Sequence, residues 1–415
     1  MKYHLRYHQG LKPIQIPQKA SVKVLQPVTV TAPESLSKMF ERALDDAKFV
    51  GQLRKTNPSS IAIAMPDDPQ ADSARALLPK IIEQVFQALP RIESPSVTVI
   101  YASGLKTHPD RETIDKILSS NIVRSCNVVV HAVDDARMKD FGTTHQGTPV
   151  RINAAYGEAD FKIVTGLVQP HQFFGFTGGV KEAVVGCASA ESIRHNHRLI
   201  NEVPIHSWKL GDNPMRKDLD EAGRMVGIDF AVNVVLNPDR EVVRVLAGNP
   251  ESVTQQGAAA CAAVYGIELD RKFDIILASC ADFPKDISVY QASKSFHLLS
   301  QAIKHGGKIL LLAAFQEDLG ENLYFDYICP FAEPEKVSKD FMRFGQTMGA
   351  RTADVFGGLL AVYEPDDLRD ADSGLMEHCH LRAAEPSTIM EEWVADFEGT
   401  PQVAVIPQAA TTYFY

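Results

Sequence analysis

The sequence predicts an α/β protein built from two α/β domains joined by a helical linker, and three observations predict it. Short β-branched, apolar runs alternate with stretches of helical periodicity along most of the chain, the pattern of strands feeding crossover helices in a largely parallel sheet. The chain has 415 residues, 45% hydrophobic and 23% charged, an ordinary globular composition at a length beyond what a single core serves well. The alternation is interrupted near the middle by a hairpin and an alanine-rich helix, then resumes. These observations place an N-terminal domain with the linker helix at 1–266 and a C-terminal domain at 267–415, with ligands expected in a cleft between them.

In the first half, SSIAIAM (59–65), SVTVIYAS (96–103) and CNVVVHAV (126–133) read as strands, with helices near 71–88 and 111–120 between them. Two apolar runs flank Asn237-Pro238-Asp239 within 228–248, which reads as an antiparallel hairpin. Asn249 can cap a helix with Pro250 in its first turn, and the alanine-rich stretch continues it to Tyr265. Beyond it come strands at 273–280, 308–315, 357–364 and 402–407, with helices at 287–304 and 333–348.

Composition excludes several function classes. The net charge is −10 with no run of lysine or arginine, which argues against nucleic-acid and anionic-membrane partners. No early apolar signal region and no apolar run approaching ~20 residues is present, so the expected location is the cytoplasm. Six cysteines (Cys126, Cys187, Cys261, Cys280, Cys329, Cys379) are scattered without C-x-x-C pairs and read as buried thiols. His378-Cys379-His380 has the look of a metal tract, but a lone H-C-H in a polar loop is expected to be unliganded.

The most informative run is QPHQFFGFTGGVKE (169–182). Gly175, Gly178 and Gly179 permit positive φ and close backbone approach to an anionic group, just ahead of a helix starting near Val180. The spacing matches neither G-x-x-x-x-G-K-[ST] nor G-x-G-x-x-G, so ATP and dinucleotide readings lose support. Asn196-His197 follows sixteen residues after Lys181.

Together with TTHQGTPVRIN (143–153), ADFKIVTGLVQPH (159–171), GFTGGVKEAVVG (175–186) and ESIRHNH (191–197), this run resembles the nickel-pincer-dependent lactate racemase family. Weaker likeness extends to YHLRYHQGLKPIQIP near the start and to PKDISVYQASKSF (284–296). The resemblance implies a pyridinium-3,5-bisthiocarboxylic acid mononucleotide that carries nickel, tethered through Lys181 and ligated by His197, with His195 as the competing ligand. A lysine amine can bond to a thioacid carbon, and imidazole is a good nickel ligand. The resemblance further implies His108 and His171 as the acid/base pair, imidazole being suited to both accepting and returning a proton near neutrality. Asp67 would contact the cofactor, and Thr177, Gly178 and Gly179 would line its phosphate side. Gln291 and Lys294, three apart on one helix face, would meet the substrate.

The sequence departs from the family pattern at PDDPQ (66–70), where D-x-T-R is usual: Asp67 is kept but Gln70 stands in the arginine's place. An amide cannot replace a bidentate guanidinium clamp on a carboxylate. The implied activity is racemisation or epimerisation of a 2-hydroxy acid, larger or more polar than lactate, by hydride transfer through a 2-keto acid. The implied partners are this small-molecule substrate and cofactor-maturation proteins. The competing readings are a relative that keeps the cofactor for a different alcohol redox or isomerase reaction, and a non-enzymatic protein that binds nickel or the nucleotide.

Overall fold

The computed structural model describes the chain except residues 8–9, 68–71, 94–95, 106–109, 119, 134–136, 172, 200–207, 281–284, 287–291, 293–294, 297, 315–359, 364–380 and 384. It divides into two compact units, residues 29–264 and residues 1–28 with 265–415. The two α/β domains of the sequence reading are present, with one difference: the first 28 residues belong with the C-terminal unit. The reason is strand pairing. Ser21–Val24 runs parallel to Gln402–Ile406 as an edge strand, and the hairpin Lys2–Tyr7/Gly10–Gln15 places Leu5 and Ile14 in the same core as Trp393 and Met390 of the helix Pro386–Ala395.

The 29–264 unit holds a six-stranded sheet. Its strands Ile61–Pro66, Phe161–Leu167 and Phe230–Leu236 are buried along their whole length. Such continuous apolar runs are what a parallel sheet covered on both faces requires. Helix Leu78–Ala88 presents Leu78, Ile81, Ile82 and Val85 to this core at i, i+3, i+4 and i+7. The helix expected at 71–88 is split into Asp72–Arg75 and Leu78–Ala88. Pro79 causes the split, because its ring would strike the Arg75 carbonyl and it brings no N–H.

From Ile61–Pro66 the chain steps outward to Val97–Ala102 and Asn127–Val130. It then returns to lay Phe161–Leu167 on the other side of the first strand, followed by Phe230–Leu236, all parallel. The predicted hairpin is present as Phe230–Leu236 against Val242–Gly248. The order reverses between Ile61–Pro66 and Phe161–Leu167, and in open α/β sheets ligands bind outside the carboxyl ends of the strands at such a reversal. Ala64 pairs with Val164, so Asp67 emerges level with Leu167, a few residues before His171.

The helix Pro250–Tyr265 forms where the linker was expected and ends at the junction of the units. In the other unit a parallel sheet runs in the order Leu381–Ala383, Leu360–Tyr363, Ile303–Leu312, Phe273–Ser279, Gln402–Ile406, Ser21–Val24. The strand expected at 308–315 begins earlier, at Ile303, so the preceding helix cannot reach 304. The helix expected at 333–348 lies outside the described residues. Cys126, Cys187, Cys261 and Cys280 are buried free thiols, and no helix among the described residues is long and apolar enough to cross a membrane.

Candidate functional site

Past the end of Phe161–Leu167 the chain makes a miniature hairpin in which His171 pairs with Gly175, a turn that needs Gly175 at φ 71°. Thr177 fastens this hairpin to the strand: its hydroxyl donates to the Leu167 carbonyl at 2.8 Å and accepts from the Gln169 amide at 3.0 Å. Gly178 and Gly179 follow at φ 83° and 61°, and the helix Lys181–Val184 starts immediately after.

A Cβ on Gly178 would lie 2.7 Å from Val168 Cγ2, and one on Gly179 would lie 2.0 Å from Thr254 Oγ1. The Gly179 amide already donates to Asn233 Oδ1 at 2.9 Å. The sides of both glycines where a side chain would stand are packed with protein, and the Thr177 hydroxyl is engaged inside the fold. The glycines allow a left-handed turn in a crowded place, and that turn delivers Lys181 to the head of its helix.

The histidines meet around Phe174. Its ring centroid lies 5.0 Å from that of His171 and 5.7 Å, edge-on at 81°, from that of His197. His171 Nδ1 accepts the amides of Phe173 and Phe174 at 3.2 and 3.3 Å. His197 sits on the helix Ala190–Arg198, capped by the Ser189 side chain, and its Nδ1–H donates to the Ile193 carbonyl at 2.8 Å. That bond fixes the tautomer with an Nε2 lone pair, the arrangement a metal-ligating imidazole uses. Its competitor His195 instead has Nδ1 at 3.2 Å from the Thr148 hydroxyl.

Burial pushes the His197 pKa down to about 4; the Ile193 bond opposes this, and the nearby Lys181 charge adds to it. An imidazole that stays neutral is ready to ligate. It also makes the fold acid-sensitive. The free ring titrates near ~6.5, so the unfolded chain takes up the proton first. The native advantage is complete above ~6.5 and is lost as pH falls toward about 4, a contribution of at most ~3 kcal/mol. His197→Gln is expected to flatten the decline of the urea midpoint across this window; an unchanged decline would show that His197 is not held neutral.

Lys181 Nζ lies 3.8 Å from Glu182 Oε1. On the other flank, Asp67 accepts from the Tyr101 hydroxyl at 2.5 Å, so both sides of the strand-order reversal carry a site residue. Among the described residues, no three His, Cys, Asp or Glu side chains converge to form a metal cage. His108, Gln70, Gln291, Lys294 and the 378–380 tract lie outside the described residues.

Several supporting residues escaped the sequence reading. Asp218 is buried and accepts from Thr148 at 2.8 Å, from Asn196 at 2.7 Å and from the Thr144 hydroxyl. It thereby ties the TTHQGT loop to the residue preceding His197. Arg216, 1% exposed, pairs with Asp220 at 2.8 Å, donates to Thr254 at 2.7 Å and reaches the Phe176 carbonyl at 3.3 Å. Asn213 caps the same helix, Pro214–Val226, and holds the Phe173 carbonyl at 2.6 Å. The available signal was that Asp218 falls in the buried stripe of Met215, Leu219, Ala222 and Val226.

The fold and this grouping define an α/β protein whose first sheet carries an amine and two imidazoles beside its reversal point. A family model described as the lactate racemase N-terminal domain matches residues 7–207. The lactate racemase of Lactiplantibacillus plantarum is 26% identical over 352 residues, 81% of this chain and 82% of that protein. That of Thermoanaerobacterium thermosaccharolyticum is 24% identical over 290 residues, 69% of this chain and 67% of that protein. The structure of the latter organism's lactate racemase apoprotein matches with a TM-score of 0.88 at 20% identity, covering 100% of both chains. A crystal structure of a Thermotoga maritima protein matches with a TM-score of 0.66 at 17% identity, covering 93% of this chain and 99% of that one. The chain is thus similar to lactate racemases in sequence, by the family model over residues 7–207 and by these relatives, and in fold over its whole length.

Proposed function

We propose that the chain is an isomerase that racemises or epimerises a 2-hydroxy acid with a nickel-pincer nucleotide, on a substrate larger or more polar than lactate. The observation that carries this reading is the meeting of His171 and His197 around Phe174, with Lys181 within electrostatic reach of His197. The residues fit the group. Lys181 offers an amine for a covalent tether, and His197 offers an Nε2 lone pair on a ring kept neutral by burial. With no three-residue cage among the described residues, the imidazole would serve as a single protein donor beside donors from the nucleotide.

When bound, the nucleotide supplies the carbon that receives the substrate's Cα hydrogen as hydride and returns it. The protein's share is binding and proton handling. His171 Nε2 addresses the substrate oxygen on one face, and His108 is assigned the other. Asp67, fixed by Tyr101, contacts the cofactor from the neighbouring strand end. Gln291 and Lys294 are assigned to the substrate, Lys294 as a point charge for its carboxylate. Gln70 carries the size preference, because a small hydroxy acid depends on charge-assisted pairs with its carboxylate whereas a polyhydroxy acid has other handles.

The test is chiral chromatography of lactate and of a longer polyhydroxy acid such as gluconate after incubation with cofactor-loaded protein. Inversion of the longer acid at C2 with weak lactate racemisation is expected. Efficient lactate racemisation would overturn the size preference, and absence of inversion across a panel of 2-hydroxy acids would overturn the isomerase reading.

A further inference from the structure

We propose that Glu182 is the proton shuttle for covalent attachment of the nucleotide to Lys181, a role that rests on the reading above. An ammonium cannot attack carbon, so tethering through a lysine needs a proton acceptor beside it. Glu182 Oε1 lies 3.8 Å from Lys181 Nζ. This is longer than a hydrogen bond, so the amine remains able to turn toward an electrophile, and a small approach transfers the proton.

The carboxylate occupies a place built for it. Glu182 is only 8% exposed, although it lies in the first turn of a four-residue helix. The neighbouring strand carries Gly166 opposite it, where a Cβ would stand 3.3 Å from Glu182 Cγ and 3.6 Å from its Oε1. A side chain at 166 would press tightly on Glu182 and Asn233. Asn233 borders the same spot, with its Nδ2 at 3.3 Å from that Cβ position. This nitrogen is buried and has no hydrogen-bond partner among the described residues. A glycine inside a buried strand weakens it, so its presence here indicates that the space is used. The outcome is an acceptor next to the lysine, with an uncommitted donor bordering the same space at Gly166.

The step balances without an oxidant or further reactant. The ammonium of Lys181 and a thiocarboxylate combine to give a thioamide and water: the N–C bond forms, the C–O bond breaks, and carbon keeps its sulfur. Glu182 takes one ammonium proton and delivers it to the departing oxygen, which also receives the second proton lost by nitrogen. Glu182 ends as the carboxylate it began as, and the positive charge of Lys181 is gone.

The experiment incubates the purified, nucleotide-free chain with pyridinium-3,5-bisthiocarboxylic acid mononucleotide and follows the adduct by intact mass over time. Glu182→Gln keeps the shape and is expected to attach at least ~10-fold more slowly. Glu182→Asp is expected to recover part of the rate, and nickel taken up per adduct on later addition of nickel(II) should be unchanged in both. Thermal melts establish that the variants are folded. Attachment by Glu182→Gln at the wild-type rate overturns the shuttle alone, as does equal slowing of the Gln and Asp variants in step with lost stability, which would mark a packing role. Failure of the wild-type chain to form any adduct overturns the cofactor reading as well.

Discussion

Replacing Lys181 by alanine is expected to abolish the covalent mass increment of protein isolated from a host that makes the nucleotide. The turn at Gly178 and Gly179 presents a single amine, at the head of the helix Lys181–Val184 and within electrostatic reach of His197. Lys162, also in this unit, cannot stand in: it is buried with its Nζ on the Ala159 carbonyl at 2.8 Å. Lys181→Arg separates nucleophile from charge. A guanidinium stays protonated and does not acylate, so this variant should also lack the adduct while keeping a cation beside His197 and Glu182. If the adduct survived in Lys181→Ala, the tether would have to be sought elsewhere.

What could be read from the sequence follows from which interactions are local. The buried strands announce themselves as uninterrupted apolar runs, and IAIAM and FAVNVVL form strands near the expected positions. Lys181 and His197 could be singled out because their motif surrounds them. The N-terminal hairpin and Ser21–Val24 could not be assigned to the C-terminal unit, since a partner strand some 380 residues away leaves no local trace. At Gly178 and Gly179 the sequence could not show the packing, since a glycine demanded by a crowded neighbour and a glycine demanded by a ligand look alike, and Val168 and Thr254 stand where their side chains would be. Asp218 and Arg216 were hidden because charged residues on a helix ordinarily face solvent. Only the fold shows that Thr144, Thr148 and Asn196 converge on one carboxylate.

His171→Ala is expected to lower racemisation by about 10²- to 10⁴-fold, the usual worth of a positioned acid/base group. The hydrogen bonds already made by His171 add a finer expectation. With Nδ1 accepting from Phe173 and Phe174, the neutral ring carries its hydrogen on Nε2 and meets a substrate oxygen as a donor. Accepting a proton at Nε2 means releasing two long amide contacts, at a cost of about 1 kcal/mol each. The two faces of the site are therefore served unequally. Overall turnover cannot reveal this for a true racemase, because an equilibrium constant of one forces kcat/KM to be equal in the two directions and to fall equally on substitution. The asymmetry has to be sought one step earlier, in single-turnover oxidation of each separate enantiomer by cofactor-loaded protein. His171→Ala should still oxidise the enantiomer served from the opposite face while failing to complete its inversion, and His108→Ala should show the reverse preference. His171→Gln, which retains an N–H donor but cannot exchange a proton, should recover substrate affinity more than turnover. Near-wild-type racemisation by His171→Ala, or equal loss of both half-reactions, would remove His171 from a face-specific role and leave proton handling to His108 or to solvent.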